Sequence, residues 1–213
     1  MAYDLQEQEQ LAEMKAWWQK YGNFLLTAVT IVLLAFAAHN GWRWYEREQA
    51  KSAAGIYGQL EQAVQARDPI KVQALATAII EHHSRTLYAA MAAMQAAKIN
   101  ADVGDRTKAA EQLQWVIDKS GNDGLAMIAR VRLAGVLLDD KKYDEALQAL
   151  NFAAPAAYLP TVLDRRGDVL AAQNKTDQAR AAYKDALDKA DAQHPLRTII
   201  QLKLDSLPAA AVS

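Results

Sequence analysis

The sequence predicts an all-α protein in which one apolar helix precedes a stack of helical hairpins. Three observations carry this. Ala is abundant while Gly (9) and Pro (5) are scarce among 213 residues. Runs such as Tyr88-Ala-Ala-Met-Ala-Ala-Met-Gln-Ala-Ala97 favour helix, because Ala loses no side-chain entropy there. No charged side chain lies between Lys20 and Arg43, and short polar breaks recur along the rest of the chain. Val, Ile and Thr nowhere alternate with polar residues long enough to make a strand.

Residues 1–20 form a short tail that is net acidic, with Asp4, Glu7, Glu9 and Glu13 against Lys15 and Lys20. Residues 21–42 are read as a membrane span. A charge-free helix of that length is roughly 33 Å long, enough for a ~30 Å hydrocarbon core. Trp17, Trp18 and Tyr21 precede it, and Trp42, Trp44 and Tyr45 follow it. These six are expected to be membrane-interface anchors, since amphipathic rings gather at both headgroup layers. A cleaved signal peptide would pair Leu25–Leu34 with the small-x-small site Ala35-Phe36-Ala37, but signal peptides begin short and basic. A buried core helix is the third alternative. The uncleaved anchor fits the long acidic lead and the second aromatic belt.

Residues 43–68 are read as a juxtamembrane helix. Ala50, Ala53, Tyr57, Leu60 and Val64 recur at helical spacing as one apolar stripe. Either neighbouring helices of the same domain or a partner's helix would cover it, and the stripe is the candidate partner-binding surface. Asp68-Pro69 ends the helix, because the residue before proline is pushed out of the α region.

Residues 69–207 divide into helices of about 12–17 residues by pattern. Breaks stand at His83-Ser-Arg85, Asp102–Asp105, Ser120–Gly124, Asp139–Lys142, Pro155–Pro160, Asn174–Asp177 and His194-Pro195. Ala109, Ala146 and Ala179 align as the same small residue in the second helix of successive hairpins. The two steps between them bracket the period of a tetratricopeptide repeat, about 34 residues. Around them stand Ala96-Ala97 and Leu113, the large–small pair Leu133-Ala134 with Tyr143, and Gly167, Tyr183 and Ala186; the small residues lie where two helices must approach closely. The stretch from Tyr88 to Ala190 thus resembles the tetratricopeptide family, which implies an α-solenoid. The helix after Pro195, with Leu196, Ile199, Ile200, Leu202 and Leu204, is expected to cap it, and residues 208–213 to form a frayed tail.

Charge excludes one function class. Taking Lys15, Lys20 and Arg43 from the 24 basic residues, and the four acids of the tail from the 25 acidic ones, leaves 21 of each. The domain lacks the basic surplus of nucleic-acid binding. With no Cys there is no disulfide scaffold, no Cys-based metal site and no lipidated anchor. His82-His83 point about 100° apart on a helix and cannot share a metal from one face. The Asp139-Asp140 pair reads as a solvated turn, and Asn100–Asp105 lacks the ligand spacing of a calcium loop. No hydrolase, nucleotide-binding or metalloprotease motif is present, and Ser, Thr and Tyr have no paired His. The expectation is a binding module with no catalytic, cofactor or metal site.

Lys15-Ala-Trp-Trp18, Gly41-Trp-Arg-Trp-Tyr45, Leu163-Asp-Arg-Arg-Gly-Asp-Val-Leu170 and Gln178-Ala-Arg-Ala-Ala-Tyr183 occur in one chain of this size. Together they resemble the YfgM family, the ancillary subunit of the bacterial SecYEG translocon. The resemblance implies a single-pass inner-membrane protein with a cytoplasmic N-terminus and a periplasmic repeat domain. It implies association with the translocon and with a periplasmic chaperone of the PpiD type. It also implies help in passing exported polypeptides to the periplasmic chaperones, without enzymatic activity or cofactor. Flanking charge leaves orientation a tie, Lys15, Lys20 and the terminal amine against Arg43, Arg47 and Lys51. The alternative is therefore a structural scaffold or regulator of an envelope complex with its domain in the cytoplasm.

Overall fold

The computed structural model describes the backbone of residues 2–208 and side chains from residue 9. Among the described residues every regular element is helical: α1 (Ala2–Gln65), α2 (Pro69–His82), α3 (Leu87–Asp102), α4 (Arg106–Lys119), α5 (Asp123–Asp139), α6 (Tyr143–Ala149), a 3-10 turn (Ala156–Tyr158), α7 (Leu159–Ala172), α8 (Thr176–Lys189) and α9 (Arg197–Ser206). The chain separates into two units, 1–49 and 50–213. Of the expected frayed tail, residues 209–213 lie outside the described residues.

The first unit consists of the earlier part of α1. Within its apolar window 6 % is buried, which removes the core-helix alternative, since a core helix buries most of its surface. Phe24, Val32, Leu34 and Phe36 all stand out from the helix. Thr27 Oγ1 donates to the Asn23 carbonyl (2.7 Å) and Thr30 Oγ1 to that of Leu26 (2.8 Å). Both hydroxyls are thereby satisfied without water, as a hydrocarbon surrounding requires.

The second unit is built on one turn used four times. Arg67, Gly104, Lys141 and Asn174 all adopt positive φ (54°, 86°, 59° and 60°). The last three keep step with Ala109, Ala146 and Ala179, and Arg67 stands one longer step ahead of them. At each, the next residue's N–H closes the preceding helix: Asp68 to the Ala63 carbonyl (3.0 Å), Asp105 to Asn100 (2.8 Å), Lys142 to Leu137 (2.9 Å) and Lys175 to Leu170 (2.9 Å). This left-handed termination satisfies carbonyls that the helix end orphans. One helical turn after each closing residue come Val72, Ala109, Ala146 and Ala179, all fully buried.

The first of these turns lies ahead of the repeats read from the sequence. The end of α1 pairs with α2 as a hairpin of the same design, and Ala53, Tyr57, Leu60 and Ala63 pack with Val72, Ala76 and Ile79 and with Ala89, Ala92 and Ala96 of α3. The boundary expected at residue 69 therefore falls inside a hairpin. A second difference is α6, which makes barely two turns (Tyr143–Ala149) and is shorter than any helix the pattern predicts. Its last turn gives way to a fully buried Leu150, and Pro155 then keeps the connection extended. A central core runs from α3 to α7, and Trp115 packs against both this core and the first-hairpin cluster. On the last hairpin Ile200 and Leu204 of α9 cover Leu170, Ala182 and Tyr183, while Leu202 faces outward. α9 is the cap the sequence predicts.

Candidate functional site

Stacking places the second helices of successive hairpins side by side, with the first helix of the later hairpin as a floor between them. The same three-helix position is filled differently each time. Between α2 and α4 it is closed by amides. Asn100 of α3, only 8 % exposed, donates through Nδ2 to Gln73 Oε1 (3.1 Å) and Gln112 Oε1 (2.9 Å), and Gln112 Nε2 donates to Gln73 Oε1 (3.0 Å). Three amides satisfying one another rigidify a buried position that an unpaired amide would destabilise.

Between α4 and α6 the position is an open cleft of ≈ 460 Å³. Its floor is Leu133 and Leu137 of α5, its wall Trp115, and its rim Glu111, Asp118 and Glu145 with Lys119. Leu137 occupies the position of Asn100 one repeat later, so an apolar floor replaces the amide bridge. Between α6 and α8 the equivalent cleft, ≈ 440 Å³, is lined by Leu147, Gln148, Asn151, Arg166, Leu170 and Gln178. Each of those six lies one repeat after its counterpart in the first cleft, Gln148 matching Glu111 and Gln178 matching Glu145. Glu111 and Glu145 of one cleft are amides in the next, and Asp118 has no counterpart in its lining.

A charged cluster ties the last three helices together. Lys203 Nζ of α9 reaches both oxygens of Asp164 (2.8 and 2.9 Å) and Asp168 Oδ1 (2.8 Å) on α7. Tyr183 of α8 donates its hydroxyl to Asp168 Oδ1 (2.9 Å), and Arg165 Nη1 meets Asp168 Oδ2 (3.2 Å). Burial pushes the Asp164 carboxyl above its ordinary value despite the Lys203 hydrogen bond, with Asp168 adding to the rise. Burial first, then Asp168, pushes the Tyr183 phenol far up. Two acids and two bases make a neutral cluster that locks the cap. The i, i+4 spacing of Asp164 and Asp168 on one helix face is its sequence signal; Lys203, two helices further along the chain, has none.

Ala53, Tyr57 and Leu60 are buried under α2 and α3, Val64 packs on the same cluster, and Ala50 is half-buried. Of the two coverings the stripe allowed, the domain's own helices are the one present over Ala53, Tyr57 and Leu60, which are therefore closed to a partner in this fold. Trp17, Trp18, Tyr21, Trp42, Trp44 and Tyr45 are exposed at the two ends of the charge-free run. Trp17 packs against Tyr21 with tilted rings (5.7 Å between centroids), as Trp42 does against Tyr45 (6.1 Å), and Trp42 Nε1 donates to Glu46 (2.7 Å).

His82 and His83 end α2, as expected of a hairpin end. The structure corrects one reading: Ser52 Oγ lies 3.4 Å from His83 Nε2. The pair joins α1 to the end of α2. Among the described residues no group of three His, Cys, Asp or Glu is placed to hold a metal ion.

Known proteins match both the fold and nearly the full length of the chain. The family described as a tetratricopeptide repeat-like domain matches residues 15–209. A protein of Neisseria gonorrhoeae named "Ancillary SecYEG translocon subunit" is 30 % identical over 97 % of this chain and 100 % of its own length. The Escherichia coli protein of the same name is 28 % identical over 94 % of this chain and 96 % of its own. Among solved structures, MamA 41-end from Desulfovibrio magneticus RS-1 superposes with a TM-score of 0.51 at 18 % identity, covering 74 % of this chain and 86 % of that one. At that identity the last likeness concerns the fold alone.

Proposed function

This chain belongs to the tetratricopeptide repeat-like family of ancillary SecYEG translocon subunits, and we propose that it is a membrane-anchored adaptor that associates with the Sec translocon. In this reading residues 21–42 span the inner membrane, residues 1–20 are a cytoplasmic tail, and the repeats work in the periplasm. There they contact a chaperone of the PpiD type and help pass exported polypeptides to the periplasmic chaperone network. The observation that carries the reading is the pairing, in one chain, of an exposed apolar helix with stacked hairpins whose conspicuous surface features are open clefts. A solenoid of this kind offers extended binding surface. Its charged cluster is consumed in holding the cap, so the proposed role is binding rather than catalysis.

The test is isolation of the tagged full-length protein from membranes in mild detergent, beside a chain beginning at Glu46. Translocon and periplasmic chaperone subunits recovered with the full-length protein are the expected result. Their persistence with the shorter chain puts partner binding in the repeats. Recovery of cytoplasmic proteins alone overturns the reading. Orientation is read with a reporter fused after Ser213, because a fusion after Val64 would cut the first hairpin.

A further inference from the structure

The cleft between α4 and α6 differs from its two repeat equivalents in being neither bridged nor basic. Its floor, Leu133 and Leu137, is apolar, Trp115 supplies an aromatic wall, and three carboxylates stand on the rim against one Lys119. Glu111, Asp118 and Glu145 are exposed, so their charges face solvent at the mouth. At ≈ 460 Å³ the space accepts a few side chains rather than a folded domain. Carboxylates at a rim favour and orient a cation, an indole face adds attraction for Lys or Arg, and a leucine floor rewards an aliphatic neighbour. In the equivalent cleft Gln148 and Gln178 replace Glu111 and Glu145, and Arg166 replaces Leu133. That second cleft would repel the same ligand.

We infer that the α4–α6 cleft docks a short segment of another polypeptide in which Lys or Arg alternates with aliphatic side chains. The aliphatic groups seat on Leu133 and Leu137, and the cations pair with Glu111 and Glu145. This names the surface by which the adaptor proposed above would hold a client or partner, and it rests on that reading.

The test uses the full chain in nanodiscs of neutral phosphatidylcholine, so that anionic lipid does not compete for a cationic probe. The probe is a fluorescein-labelled peptide of alternating Lys and Leu, compared by anisotropy with peptides alternating Glu and Leu, and Lys and Ser. The Lys–Leu peptide is expected to bind, and both others to bind at least about fivefold more weakly. Glu111→Gln with Glu145→Gln should weaken the Lys–Leu peptide about fivefold or more. Gln148→Lys with Gln178→Lys makes the same change in net charge one repeat away and should leave its affinity unaltered. All four positions are exposed, so an unchanged melting temperature is expected for both variants.

Equal weakening by the two pairs, or no preference for the Lys–Leu peptide, overturns the inference. Translocon subunits recovered with the wild-type protein that binds no Lys–Leu peptide overturn the cleft and leave the adaptor reading standing. Binding lost only in the Glu111 and Glu145 variant supports the cleft even where no translocon subunit is recovered, an outcome that removes the adaptor reading alone.

Discussion

At Gly167 the fold has no room for a methyl group. A Cβ built there would lie 2.5 Å from Cδ1 and 2.8 Å from Cζ of the Tyr183 ring. The ring is buried and its hydroxyl is held by Asp168, so it cannot swing aside. Gly167→Ala should therefore destabilise the domain by about 1–3 kcal/mol, the cost of overpacking, read from urea denaturation followed by helicity. Asp164 makes the stability of the domain depend on pH. Its carboxyl titrates above 3.8 in the folded chain, so the folded state holds this proton more tightly than the unfolded one. That contribution is greatest below the unfolded value and is lost as pH rises through the folded value. Asp164→Asn removes the decline, and its stability relative to the wild type should climb as pH rises from about 4 through the folded value. A flat difference across denaturation curves in that interval would show that Asp164 titrates as an ordinary surface acid. Sequence reading picked out Gly167 and Tyr183 from their repeat positions, whereas the Asp164–Lys203 pairing was invisible because its partners lie on non-adjacent helices.

The hairpin turn is the unit at the next scale. All four turns use a left-handed residue, but only Gly104 among the four is a glycine. For Arg67, Lys141 and Asn174 the Cβ crowds the following carbonyl, a strain glycine lacks. Lys141→Gly should stabilise the protein by about 0.5–1 kcal/mol, while Gly104→Ala should cost about 1 kcal/mol; midpoints of urea unfolding compare the two directly. Helix ends were legible because turn chemistry is local: Asp68 and Asp105 accept from the N–H of Lys71 (3.0 Å) and Lys108 (3.1 Å), as N-caps do. Less local is the end of α8, where Arg197 Nη1 donates to the Leu187 (2.9 Å) and Ala190 (3.0 Å) carbonyls from beyond the turn. The shortness of α6 was not legible either. Asn151 to Ala153 contains nothing that forbids helix, and the first local signal, Pro155 acting on Ala154, comes several residues after the element ends at the fully buried Leu150.

In the molecule as a whole the repeat unit starts within α1, ahead of Pro69. A chain beginning at Glu46 retains Ala53, Tyr57, Leu60 and Ala63 over α2 and α3. A chain beginning at Pro69 strips them away, and the burial of Leu60 alone is worth about 1.5–3 kcal/mol. The first should melt cooperatively with full helicity, and the second at a markedly lower temperature with exposed apolar surface that binds a hydrophobic dye. Equal melting temperatures would return the end of α1 to the role of a mere connector. By itself the sequence determined the helical class, the charge-free run with its aromatic ends, the positions of the turns and the register of the last repeats. Each of these is written in spacing, in a single residue's backbone preference or in the absence of charge. Only the tertiary structure decided that the stripe from Ala50 to Val64 faces inward, that the repeat begins one hairpin early, and that three equivalent clefts differ as amide bridge, acidic mouth and Arg-lined groove. An apolar stripe reads the same whichever helix covers it, because the hydrophobic effect is non-directional, and a cleft exists only once three separated helices meet around it.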